Sequence, residues 1–275
     1  MIDLHTHSTV SDGTDPPERV AELAAEAGCK AFALTDHDRL DGVAAAGARA
    51  AELGVRLIPG CEISCRWTLG SFHLLVYFVQ PGDGPFQDEL GELQRLRDER
   101  NVRMAEVLGL DYGELLAEAG GSGAGRPHAA AILVRQGRAT SVADAFDRHL
   151  GRGMLGDVGR QRTEPARALE LARASGGVAV LAHPLSMGLK RAALHAALAE
   201  LAELGLGGME AYYGRYDPEQ REALASVATA NGLAVTGGSD HHGTYKPDLS
   251  VGVGRGDLHV PDDLLPALEA RRPGA

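Results

Sequence analysis

The chain has 275 residues, 44% of them hydrophobic, and a formal net charge of −11. That length suits one α/β barrel, or a barrel-like domain with a small insertion. The acidic balance excludes tight binding of long nucleic acid over the whole surface.

The first elements alternate. Ile2–His5 reads as a strand and Pro16–Ala27 as a helix with Pro in its first turn. Ala31–Leu34 reads as a strand, Leu40–Leu53 as a helix, and Leu57–Pro59 and Phe72–Phe78 as strands. From about Pro85 to Glu164 the pattern is helical. A long charged amphipathic helix spans Gln87–Leu108, a flexible break falls at Gly120–Gly125, and short helices cover Pro127–Gln136 and Ser141–Leu150. Alternation then resumes. Val178–Ala182, Gly208–Ala211 and Leu233–Thr236 read as strands, with helices at Arg191–Leu204 and Pro218–Asn231. A short strand at Val251–Val253 and a helix near Pro261–Ala270 close the chain. This order predicts a mostly parallel sheet from 1–84 and 165–275, with 85–164 as a helical insertion.

Cys29, Cys61 and Cys65 form no disulfide framework, and no CxxC occurs. The N-terminus lacks the basic-then-apolar pattern of a signal peptide. No apolar run approaches the roughly 18 residues of a membrane span. The expectation is a protein of the reducing cytoplasm, with no membrane and no obligatory protein partner.

The chemistry-bearing residues sit at strand ends. His5 and His7 share one face of the first strand, because side chains alternate with period two. Asp12 follows in a Ser-Asp-Gly turn, His37 lies past the second strand, and Glu62 past the third. His73 opens its strand, His183 ends another, and Asp240 and His242 follow the strand Leu233–Thr236. In parallel α/β folds the C-terminal edge collects ligands and catalysts. A lone His on a strand is ordinarily structural or on the surface. Six His and three carboxylates at matching loop positions instead read as a metal site, too rich for one tetrahedral ion and suited to two or three. Three divalent ions against three carboxylates leave the site net positive, which favours phosphate. Such a site lowers the pKa of bound water to roughly 7. His149 and His195 read as surface residues on helices, His259 has no partner in view, and His241 either faces substrate or packs. The chain has no Gly-x-Ser-x-Gly elbow, no dinucleotide fingerprint and no phosphate-binding P-loop.

The motifs Asp3-Leu-His-Thr-His-Ser8, Ser11-Asp-Gly13, Thr35-Asp-His-Asp38, Gly60-Cys-Glu-Ile-Ser64, His73, Ala182-His-Pro184 and Gly238-Ser-Asp-His-His242 form an ordered set over nearly the whole chain. As a set they resemble the polymerase and histidinol phosphatase (PHP) family. The resemblance implies a distorted (β/α)7 barrel with a small helical insertion and a trinuclear site of manganese, iron or zinc at its C-terminal face. It implies one ion on His5, His7, Glu62 and Asp240, the set expected to carry catalysis. A second falls on Asp12, His37 and His242, and a third on Glu62, His73 and His183, with Glu62 bridging. Arg126-Pro127-His128 matches a Gly-Arg-Pro-His motif of the stand-alone nucleotide phosphatases, which implies that Arg126 and His128 bind substrate phosphate.

The chain departs from such relatives at Gly153–Asp157 and near Tyr216, two segments able to line the substrate pocket. The expected substrate is a small phosphorylated molecule, a nucleoside 3′,5′-bisphosphate or monophosphate. The alternatives are a 5′–3′ exonuclease or phosphodiesterase acting on short RNA ends or cyclic diesters, and a histidinol-phosphate phosphatase. A non-catalytic accessory domain of a polymerase is the reading from another class, and it conflicts with a complete ligand set.

Overall fold

The computed structural model describes residues 1–67, 70–159 and 162–274. Seven strands form one sheet in chain order: β1 (Ile2–Thr6), β2 (Ala31–Leu34), β3 (Arg56–Trp67), β4 (Gly70–Tyr77), β5 (Val178–Leu181), β6 (Gly208–Tyr213) and β7 (Ala234–Gly238). The ends of this sheet meet. Thr6 bridges His241, Asp240 N–H donates to His5 O at 2.8 Å, and His7 N–H donates to His241 O at 3.0 Å. The sheet is thus a nearly closed barrel. A Cβ on Gly238 would stand 2.4 Å from the His5 nitrogen, so β7 reaches β1 only because residue 238 has no side chain.

The barrel is distorted at one place. Neighbours β1–β2, β2–β3, β5–β6 and β6–β7 are parallel, whereas β4 runs antiparallel to both β3 and β5. Only two residues lie between β3 and β4. The three-residue strand expected at Leu57–Pro59 is instead twelve residues long, because pairing with β4 continues from Gly60 opposite Tyr77 to Trp67 opposite Gly70. Glu62 therefore lies within a strand, not past its end.

Ten α-helices occur among the described residues: α1 (Pro17–Glu26), α2 (Val43–Leu53), α3 (Pro85–Leu108), α4 (Tyr112–Glu118), α5 (Arg126–Arg135), α6 (Val142–Ala145), α7 (Pro165–Ala174), α8 (Arg191–Glu203), α9 (Pro218–Ala230) and α10 (Leu264–Glu269). Pro occupies the first turn of α1, α3, α5, α7 and α9, where its missing N–H costs no helical bond. α7 was absent from the sequence reading. Val251–Val253 is a turn closed by a Ser250–Gly254 bridge rather than a strand.

Apolar contacts divide within α3. Phe86, Leu90 and Leu93 join the layer between the sheet and α7, α8 and α9. Met104 and Leu108 join a separate cluster with Leu115, Ile132, Leu133 and Leu150. Each fully buried Leu or Ile contributes about 1.5–3 kcal/mol to holding its layer. Gly120–Gly125, read as a flexible break, is packed where it passes the barrel. Asn101 Nδ2 donates to Ala124 O at 2.7 Å, and a Cβ on Gly123 would stand 2.3 Å from Val10 O. Among the described residues no helix is long and apolar enough to cross a membrane.

Candidate metal centre

The nine sequence-singled His, Asp and Glu residues converge at one rim. His5 lies one residue before the end of β1, His7 and Asp12 follow it, His37 follows β2, and Glu62 lies within β3. His183 follows β5, while Asp240 and His242 follow β7. His73 joins them for a topological reason. Because β4 runs against its neighbour, its beginning lies at the rim where the parallel strands end, and His73 pairs with Ser64 two residues beyond Glu62.

Glu62 is the hub. Its Oε1 lies 2.7 Å from His73 Nδ1 and 3.0 Å from His183 Nε2. Its Oε2 lies 3.2 Å from both His7 Nε2 and His37 Nδ1, and 3.5 Å from His5 Nε2. Asp240 Oδ1 stands 3.5 Å from the Nε2 atoms of His5 and His7 and 3.3 Å from His242 Nδ1. Asp12 faces His242 at 3.4 Å and His37 at 3.8 Å. His183 and Asp240 both adopt left-handed backbone, with φ of 28° and 58°. Such conformations cost about 1–3 kcal/mol in a non-glycine residue and persist where surrounding structure fixes them, often at functional sites.

The electrostatics keep the carboxylates charged. Burial alone would raise the Glu62 carboxyl, but His73, His37 and His5 hold it well below the usual range. Burial is likewise outweighed at Asp240 by Lys246, His242 and His5, and at Asp12 by His37 and His242. The histidines split. Burial lowers His37 well below its ordinary value and, with Lys246 and His7, takes His242 to about 4. At His7 burial is outweighed by contacts with Asp240 and Glu62, which raise it to about 9. Glu210, Asp240 and Glu62 similarly overcome burial at His5 and raise it well above its ordinary value.

Several supporting residues escaped the sequence reading. His5 Nδ1 donates to Glu210 Oε1 at 2.9 Å, and the other oxygen of Glu210 accepts the His183 N–H at 2.7 Å. Glu210 is a fully buried acid inside the apolar run Gly208–Ala211, and that isolation was its one signal. Asp36 accepts from Ser8 N, Ser8 Oγ and Ser11 Oγ at 2.6–2.8 Å and fixes the loop that carries His7 and Asp12. Lys246 Nζ and Tyr213 OH donate to Asp240 Oδ2 at 2.6 and 2.7 Å. His241 packs, its ring nitrogens meeting Leu249 O and Asp15 Oδ2 at 2.9 Å.

This donor set fits divalent ions. His5 Nε2 and His7 Nε2 face each other at 3.1 Å, so the two rings, once deprotonated, are placed to hold one cation between them. His37 Nδ1 is buried with no hydrogen-bond partner, because its 3.2 Å approach to Glu62 lacks hydrogen-bond geometry. Three donor groups each lie within 4.8 Å: His7, Asp12, His37 and His242; His5, His7 and Asp240; and His37, Glu62 and His73. His7 and His37 thus each belong to two groups, a sharing that the sequence assignment did not contain.

A cavity of about 230 Å³ opens over the cluster. Asp12, His37, His73 and His242 line it together with Arg97, Arg100, Arg126, Arg162 and Lys246. Arg97 is buried and anchored by Asp38 Oδ2 at 2.6 Å. Arg126 has no hydrogen bond or ion pair among the described residues, and its guanidinium lies over the Phe146 ring at 5.7 Å. Gly156 and Asp157, from the segment that departs from relatives, also line the cavity. Tyr216 does not; its hydroxyl accepts the Leu185 N–H at 2.9 Å. His128 departs from expectation. It is buried off the cavity wall, with Nδ1 accepting the Gly125 N–H at 3.0 Å and its ring edge-on to Tyr245. A helix-start bond occupies one of its two ring nitrogens.

The PHP domain family model matches residues 3–150. The chain belongs to the PHP domain family. It is 33% identical over 88% of its length to 85% of the 5′-3′ exoribonuclease Rnm of Escherichia coli. It is 29% identical over 96% of its length to 93% of the 3′,5′-nucleoside bisphosphate phosphatase of Chromobacterium violaceum. A solved PHP-type structure from Bifidobacterium adolescentis, assigned as a metal-dependent phosphoesterase, superposes with a TM-score of 0.88 at 28% identity, covering 99% of this chain and 96% of that one. This PHP chain is a metal-dependent phosphoester hydrolase.

Proposed function

We propose that this PHP enzyme hydrolyses a phosphate ester of a small nucleotide, a nucleoside 3′,5′-bisphosphate or monophosphate, at a centre of two or three manganese, iron or zinc ions. One observation carries the reading: a single cavity is lined both by metal donors and by four arginines with Lys246. A donor cluster alone suits many hydrolases, and arginines alone suit any polyanion. Side by side they match a substrate with one phosphate to cleave and another to hold. The relatives that act on RNA ends and on bisphosphates support the same class.

In this reading His5, His7, Glu62 and Asp240 hold one ion, Asp12, His37 and His242 a second, and Glu62, His73 and His183 a third. The two oxygens of Glu62 face different rings, which suits a bridge. When bound, the ions supply Lewis-acid polarisation and acidify water at the site. The protein supplies the rest. Glu210 fixes the His5 ring by accepting its Nδ1 proton, and Lys246 and Tyr213 orient Asp240 through its outer oxygen. Arg126 holds the non-scissile phosphate, and the 85–164 insertion covers the mouth and excludes water. Three free buried thiols suit a reducing compartment such as the cytoplasm.

The test is a product screen with metal-reconstituted protein on nucleoside mono- and bisphosphates, cyclic diesters and histidinol phosphate. Turnover highest on a nucleoside bisphosphate or monophosphate is expected. Turnover on histidinol phosphate alone would overturn the nucleotide reading.

A further inference from the structure

We propose that Lys246 is a further catalytic residue, whose ammonium group meets the oxygen that departs from phosphorus and stabilises the charge building there. The role rests on the metal centre of the reading above but not on its nucleotide, and it holds for whichever alcohol is released.

The bond to Asp240 does not by itself account for Lys246. Asp240 Oδ2 already accepts the hydroxyl of Tyr213, a buried side chain, at 2.7 Å. Lys246 approaches the same oxygen at 2.6 Å with its side chain 26% exposed. An ammonium group has three N–H donors, and among the described residues Lys246 uses one. It lines the cavity over the metal donors and also a second cavity of about 770 Å³. The residues common to both are Pro127, Phe146, His242 and Lys246, and of these Lys246 alone brings an ammonium group.

Other cations of the two cavities are held elsewhere. Arg97 is tied to Asp38, Arg126 lies over Phe146, and Arg215 and Arg255 share Asp248 at 2.9 and 3.2 Å. Lys246 instead stands one carboxylate away from the donors, since Asp240 Oδ1 is 3.5 Å from the Nε2 atoms of His5 and His7. A phosphate gripped by the donor cluster, with its alcohol directed to the junction of the cavities, has its ester oxygen beside Lys246.

The loop fixes the ammonium group before substrate arrives. The Lys246 N–H donates to Gly243 O at 3.1 Å, and the Leu249 N–H donates to Lys246 O at 3.0 Å. The adjoining Tyr245 is edge-on to His128 at 5.3 Å, and its hydroxyl donates to Glu118 at 3.3 Å. A donor placed in advance costs no reorganisation when charge develops.

The step balances. Water adds its oxygen to phosphorus, and the bond from phosphorus to the ester oxygen breaks with its electron pair on that oxygen. Lys246 donates a hydrogen bond to it and keeps its own protons. A proton released by the water neutralises the departing alcohol.

The experiment compares kcat/KM of metal-reconstituted full-length wild type, Lys246→Met and Tyr213→Phe on phenyl phosphate and 4-nitrophenyl phosphate. The nitro group spreads the charge of the second leaving group, which therefore needs less help. Lys246→Met is expected to lower the phenyl value about 100-fold, the scale of one preorganised donor, and the nitrophenyl value less than about threefold. Its activity on the second ester then shows an intact fold, and elemental analysis should find wild-type metal content. Tyr213→Phe removes a bond to the same Asp240 oxygen but no charge, and should lower both values by one factor. Adenosine 3′-phosphate and its bridging 3′-thio ester, whose sulfur departs without such help, should repeat the pattern on a nucleotide. An equal fall on both members of a pair, as from a residue acting only through Asp240, would overturn the assignment. So would metal loss in step with activity, or no fall on any ester. Hydrolysis of the aryl pair alone would strike the nucleotide reading and leave the role of Lys246 standing.

Discussion

His5 and Glu210 meet at 2.9 Å from opposite parts of the chain, the imidazole Nδ1 of one donating to the carboxylate of the other. That bond fixes which His5 nitrogen faces the cluster and makes it more basic. Glu210→Gln preserves the shape but removes the charge, so metal affinity should fall about 10–100-fold. Competition with a chelating dye measures it. Affinity within twofold of wild type would show that the ring is held by packing alone.

Glu62 touches five imidazoles, more than any other carboxylate of the cluster. Glu62→Ala should therefore damage turnover and metal content more than His5→Ala or Asp240→Asn, each lowering kcat by orders of magnitude. His195→Ala is the control, since His195 lies on α8 and its ring bonds Asn231, at 3.0 Å, rather than any residue of the cluster among the described residues. Elemental analysis beside steady-state kinetics separates the cases. An active Asp240→Asn enzyme with full metal content would contradict the ligand assignment.

The metal-free protein should lose stability as pH rises. His7 is raised in the fold from an ordinary 6.5 to about 9, so its contribution is complete below 6.5 and lost as pH passes through about 9. His5 shifts in the same direction. Melting temperatures of chelator-treated protein should fall across that window, while metal-loaded protein stays flatter because ions replace the protons. Parallel curves for the two forms would argue against ions at His5 and His7.

Arg126 lies on the cavity wall with an aromatic neighbour and no anionic partner in hydrogen-bond contact. Arg126→Ala should cost roughly 1.5–3 kcal/mol in kcat/KM on a nucleoside bisphosphate, the scale of a charged hydrogen bond. The matching monophosphate should suffer less. An equal fall on both would leave Arg126 without a selective role.

The metal cluster was legible in the sequence because its residues follow local rules. His5 and His7 share a strand face by period, and His37, His183, Asp240 and His242 fall where strands end. His73 broke the rule, and only the antiparallel course of β4 explains it. Glu210 was hidden because its meaning depends on partners 205 and 27 residues away. Lys246 had no local signal, because its role rests on a loop that turns it back onto Asp240. Arg97 and Arg100 looked like ordinary charges on a helix, because α3 turns a buried polar face toward the site instead of an apolar one. His128 shows the converse: its motif was legible, but a motif does not reveal that the backbone of Gly125 bonds one of the ring nitrogens.

Gly123 carries a last consequence. Its backbone rides so close to Val10 and Ser11 that even a methyl group would not fit, and Asp12 is the next residue along. Gly123 and the loop that carries Asp12 are therefore mechanically coupled. A displacement of the segment at Gly123 would therefore be passed on to Asp12.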